Sequence, residues 1–155
     1  MRTTNNLIDK IVLVTGATGQ LGKVFSQELA NNGATIWVTD VNLDACKKIV
    51  DQLEETTNRK HFSSYLDVTS EKSVEEVIGK IESNNGRLDV LVNNAGIAVF
   101  SDYQSRSKEE FMNVVEVNLY GSFVCIQKAS ALMEKTNSMG SIINIGSIYG
   151  MVSGD

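Results

Sequence analysis

Residues 14–22 read "VTGATGQLG", at the end of an apolar run, "IVLVT", that spans residues 11–15. A run with no polar alternation marks a strand covered on both faces, as in a parallel sheet. It passes into three glycines, Gly16, Gly19 and Gly22, and then into a segment with helical spacing. Glycines at such a turn permit a sharp reversal and a close approach of backbone to ligand. The helix that follows presents unsatisfied N–H groups to an anion, so the arrangement suits a pyrophosphate. A tight strand-to-helix turn without a ligand would use the same glycines, so the flanking sequence has to decide.

Working outward, strand-like runs lie at residues 11–15, 34–40, 60–68, 88–93 and 141–145. Helical patterns fill the gaps at 23–32, 43–56, 74–82 and about 108–135. The last would be roughly 40 Å long at the helical rise per residue. It opens on Ser107 and Glu110, which have capping-box spacing, and the first helix ends in "NNG", a left-handed C-cap. Strand and helix in alternation predict one doubly wound α/β domain, a parallel sheet with right-handed crossovers. No repeat, linker or low-complexity tract interrupts it.

Asp40 ends the second strand, eighteen residues beyond Gly22. A carboxylate there accepts hydrogen bonds from adenosine ribose hydroxyls and repels a 2′-phosphate. No Lys or Arg between Gly16 and Gly22 offsets that repulsion, so the reading is NAD rather than NADP. Further polar residues follow strand ends: Asp67 and Val68 after the third, "NNAG" (Asn93, Asn94, Ala95 and Gly96) after the fourth, Ser147 after the fifth. Ser147 thus falls where open α/β sheets bind ligands. Asn118 stands among Val114, Val115, Val117 and Leu119, where a buried amide without partners would cost about 1–3 kcal/mol.

Over residues 7 to 150 the chain resembles the short-chain dehydrogenase/reductase family, single-domain branch, through the ordered set TG…G, D-V, NNAG, VN-L and N-I-x-S. The resemblance implies a Rossmann-type fold and hydride transfer between NAD(H) and an alcohol or carbonyl substrate. It also implies that Gly16, Thr18, Gly19, Gln20, Leu21 and Gly22 form the cofactor loop and Asp40 holds the ribose. Asp67 and Val68 would flank the adenine, Asn94, Ala95 and Gly96 would line the cleft, and Asn93 would brace the sheet. Asn118 would bend the long helix and hold a relay water, and Ser147 would bind the reacting oxygen. The glycine spacing T-G-x-x-G-x-x-G departs from the usual T-G-x-x-x-G-x-G and matches the extended, sugar-nucleotide-modifying branch. An epimerase or dehydratase therefore stays open beside the dehydrogenase, as does a non-catalytic NAD-binding module. "SIYG" after the last strand also resembles members acting on surface polysaccharides, so the substrate could be sugar-linked.

The family's acid/base tyrosine, with a lysine four positions later, would lie about a dozen residues past Ser147, beyond Asp155. Tyr65, Tyr103, Tyr120 and Tyr149 are followed at that spacing by Thr69, Ser107, Val124 and Ser153. A free tyrosine titrates at about 10 and needs a neighbouring cation to work at neutral pH. Residues 1–155 are accordingly expected to be the N-terminal, NAD-binding part of a dehydrogenase, cut after the fifth strand, inactive alone and prone to associate. In the family the long helix and the one following the serine strand form the subunit interface, which implies a homo-oligomer for the full-length protein. Tyr149 is read as packing or pocket lining.

Composition narrows the partners. The net charge of −5 argues against nucleic acid or an anionic membrane surface. No apolar run reaches the length of a membrane span or signal peptide, and two unpaired cysteines, Cys46 and Cys125, fit a cytoplasmic protein. The single histidine, His61, has no metal-ligand company and is read as a surface or strand-packing residue.

Overall fold

The computed structural model describes residues 7–102 and 104–147. Five strands, β1 (Ile11–Val14), β2 (Thr35–Asp40), β3 (Phe62–Tyr65), β4 (Val90–Asn93) and β5 (Ser141–Asn144), form one parallel sheet in the order β3-β2-β1-β4-β5. The helices between them are α1 (Gln20–Asn31), α2 (Leu43–Thr57), α3 (Glu71–Asn85), α4 (Lys108–Val115) and α5 (Gly121–Lys135). Strand order reverses at β1, whose neighbours are β2 on one side and β4 on the other. The carboxyl ends of β1 and β4 therefore diverge into the crevice where such sheets take ligands.

The apolar runs are buried as their composition requires. Leu13, Trp37 and Leu91 face a core shared with Val77, Ile81, Val124 and Leu132 of α3 and α5. Val12, Val14, Ile36 and Val38 face the opposite layer, with Ile49 and Leu53 of α2. Successive side chains of one strand thus supply two cores, which is the physical meaning of a run without alternation.

Local signals set the boundaries. Asn42 and Ser70 accept N–H bonds from Ala45 and Ser73 to cap α2 and α3, and Ser107 with Glu110 makes the anticipated capping box on α4. The left-handed residue after α1 is Gly33, at φ 99°. Helix α1 begins three residues earlier than the sequence reading, at Gln20, and three further elements differ from it. Strand β3 is four residues instead of nine, because Asp67 leaves the ladder to bond Ser73 Oγ through its N–H and Thr69 through its carboxylate. Helix α3 is longer at both ends, from its Ser70 cap to Gly86 at φ 73°. The long helix is divided by a π-helical turn, Glu116–Tyr120, centred on Asn118.

Glycine is required directly after that turn. A Cβ on Gly121 would lie 2.6 Å from Val68 Cγ2, so α5 packs its backbone onto the chain that follows β3. Helix α5 is further tied to α3 by Lys128 with Glu75 at 2.7 Å and Lys135 with Glu82 at 2.5 Å. Cys46 and Cys125 are buried and free, and burial, joined at Cys46 by the charge of Asp40, pushes both thiols up to about 12. They are inert at neutral pH.

Asp89 closes the opposite end of the sheet. It is 3% exposed and accepts from the Ile11 backbone N–H (2.9 Å), Lys10 and Arg87. Burial alone would raise its pKa, but these donors together hold the carboxyl below its ordinary value. Its stabilising effect is therefore present above the unfolded carboxylate pKa and lost as pH falls through the lower folded one. Asp89→Ala is expected to cost about 2–3 kcal/mol in urea unfolding at pH 7, the scale of lost charge-assisted bonds. That difference should shrink below about pH 4, where the unfolded carboxylate is protonated.

Candidate functional site

Gly16 leaves β1 at φ 60°, and a Cβ on it would lie 2.7 Å from Ala95 Cα. Gly22 is equally constrained, since a Cβ there would lie 2.7 Å from Ala17 Cα. These two glycines let the turn fold onto itself and onto the chain after β4. Gly19 differs. It is the residue before α1, at φ −68° and ψ 168°, and a Cβ would meet only the Gly16 carbonyl at 3.4 Å, an ordinary contact. Packing does not enforce the middle glycine, so its displacement by one place leaves the turn intact, with Gln20 exposed at the first position of α1.

The β1 and β4 ends are clasped by Thr15. Its buried hydroxyl accepts from the backbone N–H of Asn94 and of Ala95, both at 3.0 Å. The Asn94 side chain answers by donating to the carbonyls of Thr15 (3.0 Å) and Gly16 (2.9 Å). Thr15 was not among the residues singled out in the sequence. A hydroxyl closing an otherwise apolar strand, opposite an Asn-Asn pair, was the available signal.

Above this clasp lies an open cleft in two contiguous parts that share Gly16, Asp40 and Gly96. One, of about 440 Å³, is lined by Thr18, Gly19, Gln20, Leu21 and Asn94 as well. The other, of about 330 Å³, is walled by Asp67, Val68 and Ala95. The structure thus gathers all the anticipated loop and cleft residues except Gly22, which is buried beneath the turn. Val41, Ile97, Asn113 and Val117 also line it, apolar or amide positions with no motif to mark them.

Two features give the cleft its electrostatics. Helices α2, α3 and α4 each have a side-chain cap, whereas α1 has none. Its first N–H groups thus have no side-chain acceptor, and its first residues, Gln20 and Leu21, line the cleft, as an anion would need. Asp40 stands across from them, its carboxylate fixed by the N–H of Thr18 (3.2 Å) and of Asn42 (3.1 Å). Each oxygen accepts one bond from the protein and keeps a lone pair for a hydroxyl.

The expectation of a buried Asn118 fails. The residue is exposed, because its neighbours Leu119, Tyr120 and Phe123 form a surface ridge and not a core. Its amide is nonetheless paired at both ends, accepting from the Ile97 N–H (2.8 Å) and donating to the Ile97 carbonyl (3.0 Å). This clamp fixes the chain just beyond Gly96, where a Cβ would sit 3.4 Å from Asn118 Oδ1. Asn93 bridges β4 to β5 by donating to Asn144 Oδ1 at 2.9 Å. Ser147 is exposed, three residues past β5, and lines neither part of the cleft.

Of the tyrosines, Tyr103 and Tyr149 lie outside the described residues. Tyr120 donates to Glu71 at 2.8 Å, and that bond holds its pKa above the usual value, the reverse of what an acid/base needs. Among the described residues no group of three or more His, Cys, Asp or Glu could hold a metal, and no helix is long and apolar enough to cross a membrane.

Comparison with known proteins decides the ancestry. The family model described as short chain dehydrogenase matches residues 10–155. This chain belongs to the short-chain dehydrogenase family. Its relatives include the cyclopentanol dehydrogenase of Comamonas sp. (strain NCIMB 9872), 35% identical over 93% of this chain and 57% of that protein. The 3beta-hydroxysteroid dehydrogenase of Mediterraneibacter gnavus is 32% identical over 92% of this chain and 51% of that one. Among solved structures, NAD+-bound xylitol dehydrogenase superposes with a TM-score of 0.90 at 31% identity, covering 96% of this chain and 57% of the other. A short-chain type dehydrogenase/reductase from Mycobacterium marinum gives 0.93 at 27% identity, covering 99% and 63%. The chain therefore spans little more than half the length of the family members it matches.

The Thr15 clasp makes a specific demand. Thr15→Val should lower stability by about 1–3 kcal/mol in urea unfolding, because two amide N–H groups lose their acceptor. Thr15→Ser, which keeps the hydroxyl, should recover most of the loss.

Proposed function

We propose that residues 1–155 form the NAD-binding part of an oxidoreductase that transfers hydride between NAD(H) and a small alcohol or carbonyl compound. The observation that carries this is the pairing of an uncapped α1 N-terminus with the fixed carboxylate of Asp40 across one cleft. The pyrophosphate would lie on the N–H groups of Gln20 and Leu21, with Thr18 and Gly19 at its side. The adenosine ribose would share its hydroxyls with Asp40, and the adenine would enter between Val68 and Ile97, beside Asp67. When bound, NAD supplies the hydride acceptor.

Asp40 favours NAD because a 2′-phosphate would meet its charge, and the residue after it, Val41, offers no cation. The NAD+-bound relative, at 31% identity, supports the same choice. Asn94, Ala95 and Gly96 shape the cleft floor, while Asn118 holds the following chain in place through Ile97. In this reading Ser147 binds the substrate's reacting oxygen, and Asn118 helps to hold a relay water. The proton is moved by a tyrosine–lysine pair outside residues 1–155, so these residues alone bind cofactor without turning over substrate. We place the protein in the cytoplasm, where its two buried thiols stay reduced.

The long helix supports self-association. Phe111, Met112, Leu119 and Phe123 are each about half exposed or more, from 48% to 68%, and sit on one continuous helical stretch. A ridge of this kind is covered in a stable assembly.

Calorimetry tests the cofactor reading. NADH should bind, NADPH should bind far more weakly, and Asp40→Ala should lose about 10- to 100-fold in NADH affinity while narrowing the preference, the scale of one charge-assisted contact. Equal binding of both cofactors would remove the role of Asp40. No binding of either would leave only the fold. Oxidation of an alcohol by residues 1–155 alone would refute the division of labour proposed here.

A further inference from the structure

His61 immediately precedes β3 and is 3% exposed, and every polar atom of it that faces the interior is committed. Nδ1 accepts from the Ile36 backbone N–H at 3.1 Å. Nε2 lies 2.9 Å from Thr57 Oγ1, whose hydrogen goes to the Leu53 carbonyl at 2.6 Å. The His61 N–H donates to Glu54 at 2.9 Å. A backbone N–H can only donate, so Nδ1 must present its lone pair. The Thr57 hydroxyl is already donating, so the ring proton belongs on Nε2.

One neutral imidazole therefore joins three elements: the start of β2, the entry to β3 and the last turn of α2. The join lies where the ladder stops. Pairing of β2 with β3 begins at Trp37 and Phe62, so the N–H of Ile36 has His61 as its partner in place of a strand carbonyl. Strand β3 is the outermost in the order and is paired with β2 alone among the described residues.

We propose that His61 is a proton-operated latch on the β2–β3 edge, closed while the imidazole is neutral and released when Nδ1 takes up a proton. Protonation sets one donor against another at Nδ1 and places a cation in an apolar layer. Two charged groups face the ring, Glu54 of α2, which favours the proton, and Arg59 of the connecting turn, which opposes it. The neighbouring Lys60 is turned over the Phe62 ring, 5.0 Å from its centre, and residues 35–37 of β2 carry no charge. Burial outweighs Glu54 and holds the histidine below its ordinary pKa of 6.5. The unfolded chain consequently takes the proton first. Stability contributed by the latch is complete above pH 6.5 and declines as pH falls from there toward the lower folded value. Opening would free the entry to β3 and the end of α2, leaving β1, β4 and β5 paired. The latch is independent of cofactor binding.

Because His61 is the only histidine in the chain, its ring signals can be read without assignment ambiguity. A ¹³C,¹⁵N-labelled sample should show the Nε2–H form at neutral pH and a titration midpoint below 6.5. Hydrogen exchange at Ile36, corrected for the intrinsic pH dependence, should lose protection by up to about tenfold per pH unit across that window, as one linked proton requires. His61→Asn keeps an acceptor for Ile36 but does not titrate, so its Ile36 protection should be flat with pH. A midpoint at or above 6.5, an Nδ1–H tautomer, or equal slopes in both proteins would overturn the proposal. The first two readouts use the native chain and decide the matter even where the variant does not fold.

Discussion

Contact between Gly16 and Ala95 governs the geometry of everything above the sheet. Two strand ends that diverge at a topological switch would ordinarily leave a gap of solvent between their loops. Here the missing side chain at Gly16 lets the backbones touch, and Thr15 locks them with a hydroxyl that serves two amides. The turn cannot then swing away from the chain after β4. Helix α1 is aimed by this fixed turn, so the direction of its open N-terminus is set by packing beneath the cleft and not by a ligand within it.

The fold was legible because its information is local and repeated. Uninterrupted apolar strands, caps of the Ser107 and Glu110 kind and a glycine-rich turn all agree with one architecture, and agreement across levels is what makes a sequence foldable. The errors fall where tertiary contacts override local pattern. Residues 66–68 look like strand but leave the ladder because Asp67 and Ser73 bond each other. Asn118 looks buried among valines, yet periodicity cannot say which helix faces the structure covers. The cleft was readable where residues carry distinctive chemistry, as at Asp40 and Gly96. It was unreadable at Val41, Asn113 and Val117, which are ordinary residues placed there by topology.

His61 and Asp89 illustrate the two ways in which a buried ionisable group is tolerated. Asp89 remains charged because a backbone amide and two basic side chains are aimed at it, and those cations themselves stay partly in water. His61 remains neutral because one nitrogen must accept and no carboxylate reaches the ring closely enough to reverse the cost of burial. Both sit at the amino ends of strands, opposite the cleft. The working end of the sheet instead keeps its polar groups half open and hydrogen-bonded by backbone.

Val68 has two neighbours of different kinds. One side faces the cleft, while the other rests on the bare backbone of Gly121, directly after the π-helical turn that carries Asn118. With no room for a methyl group between them, the backbone of the long helix fixes how far Val68 stands from the cleft. One wall of the cleft is thereby built directly against the turn that carries Asn118, fifty residues further along the chain.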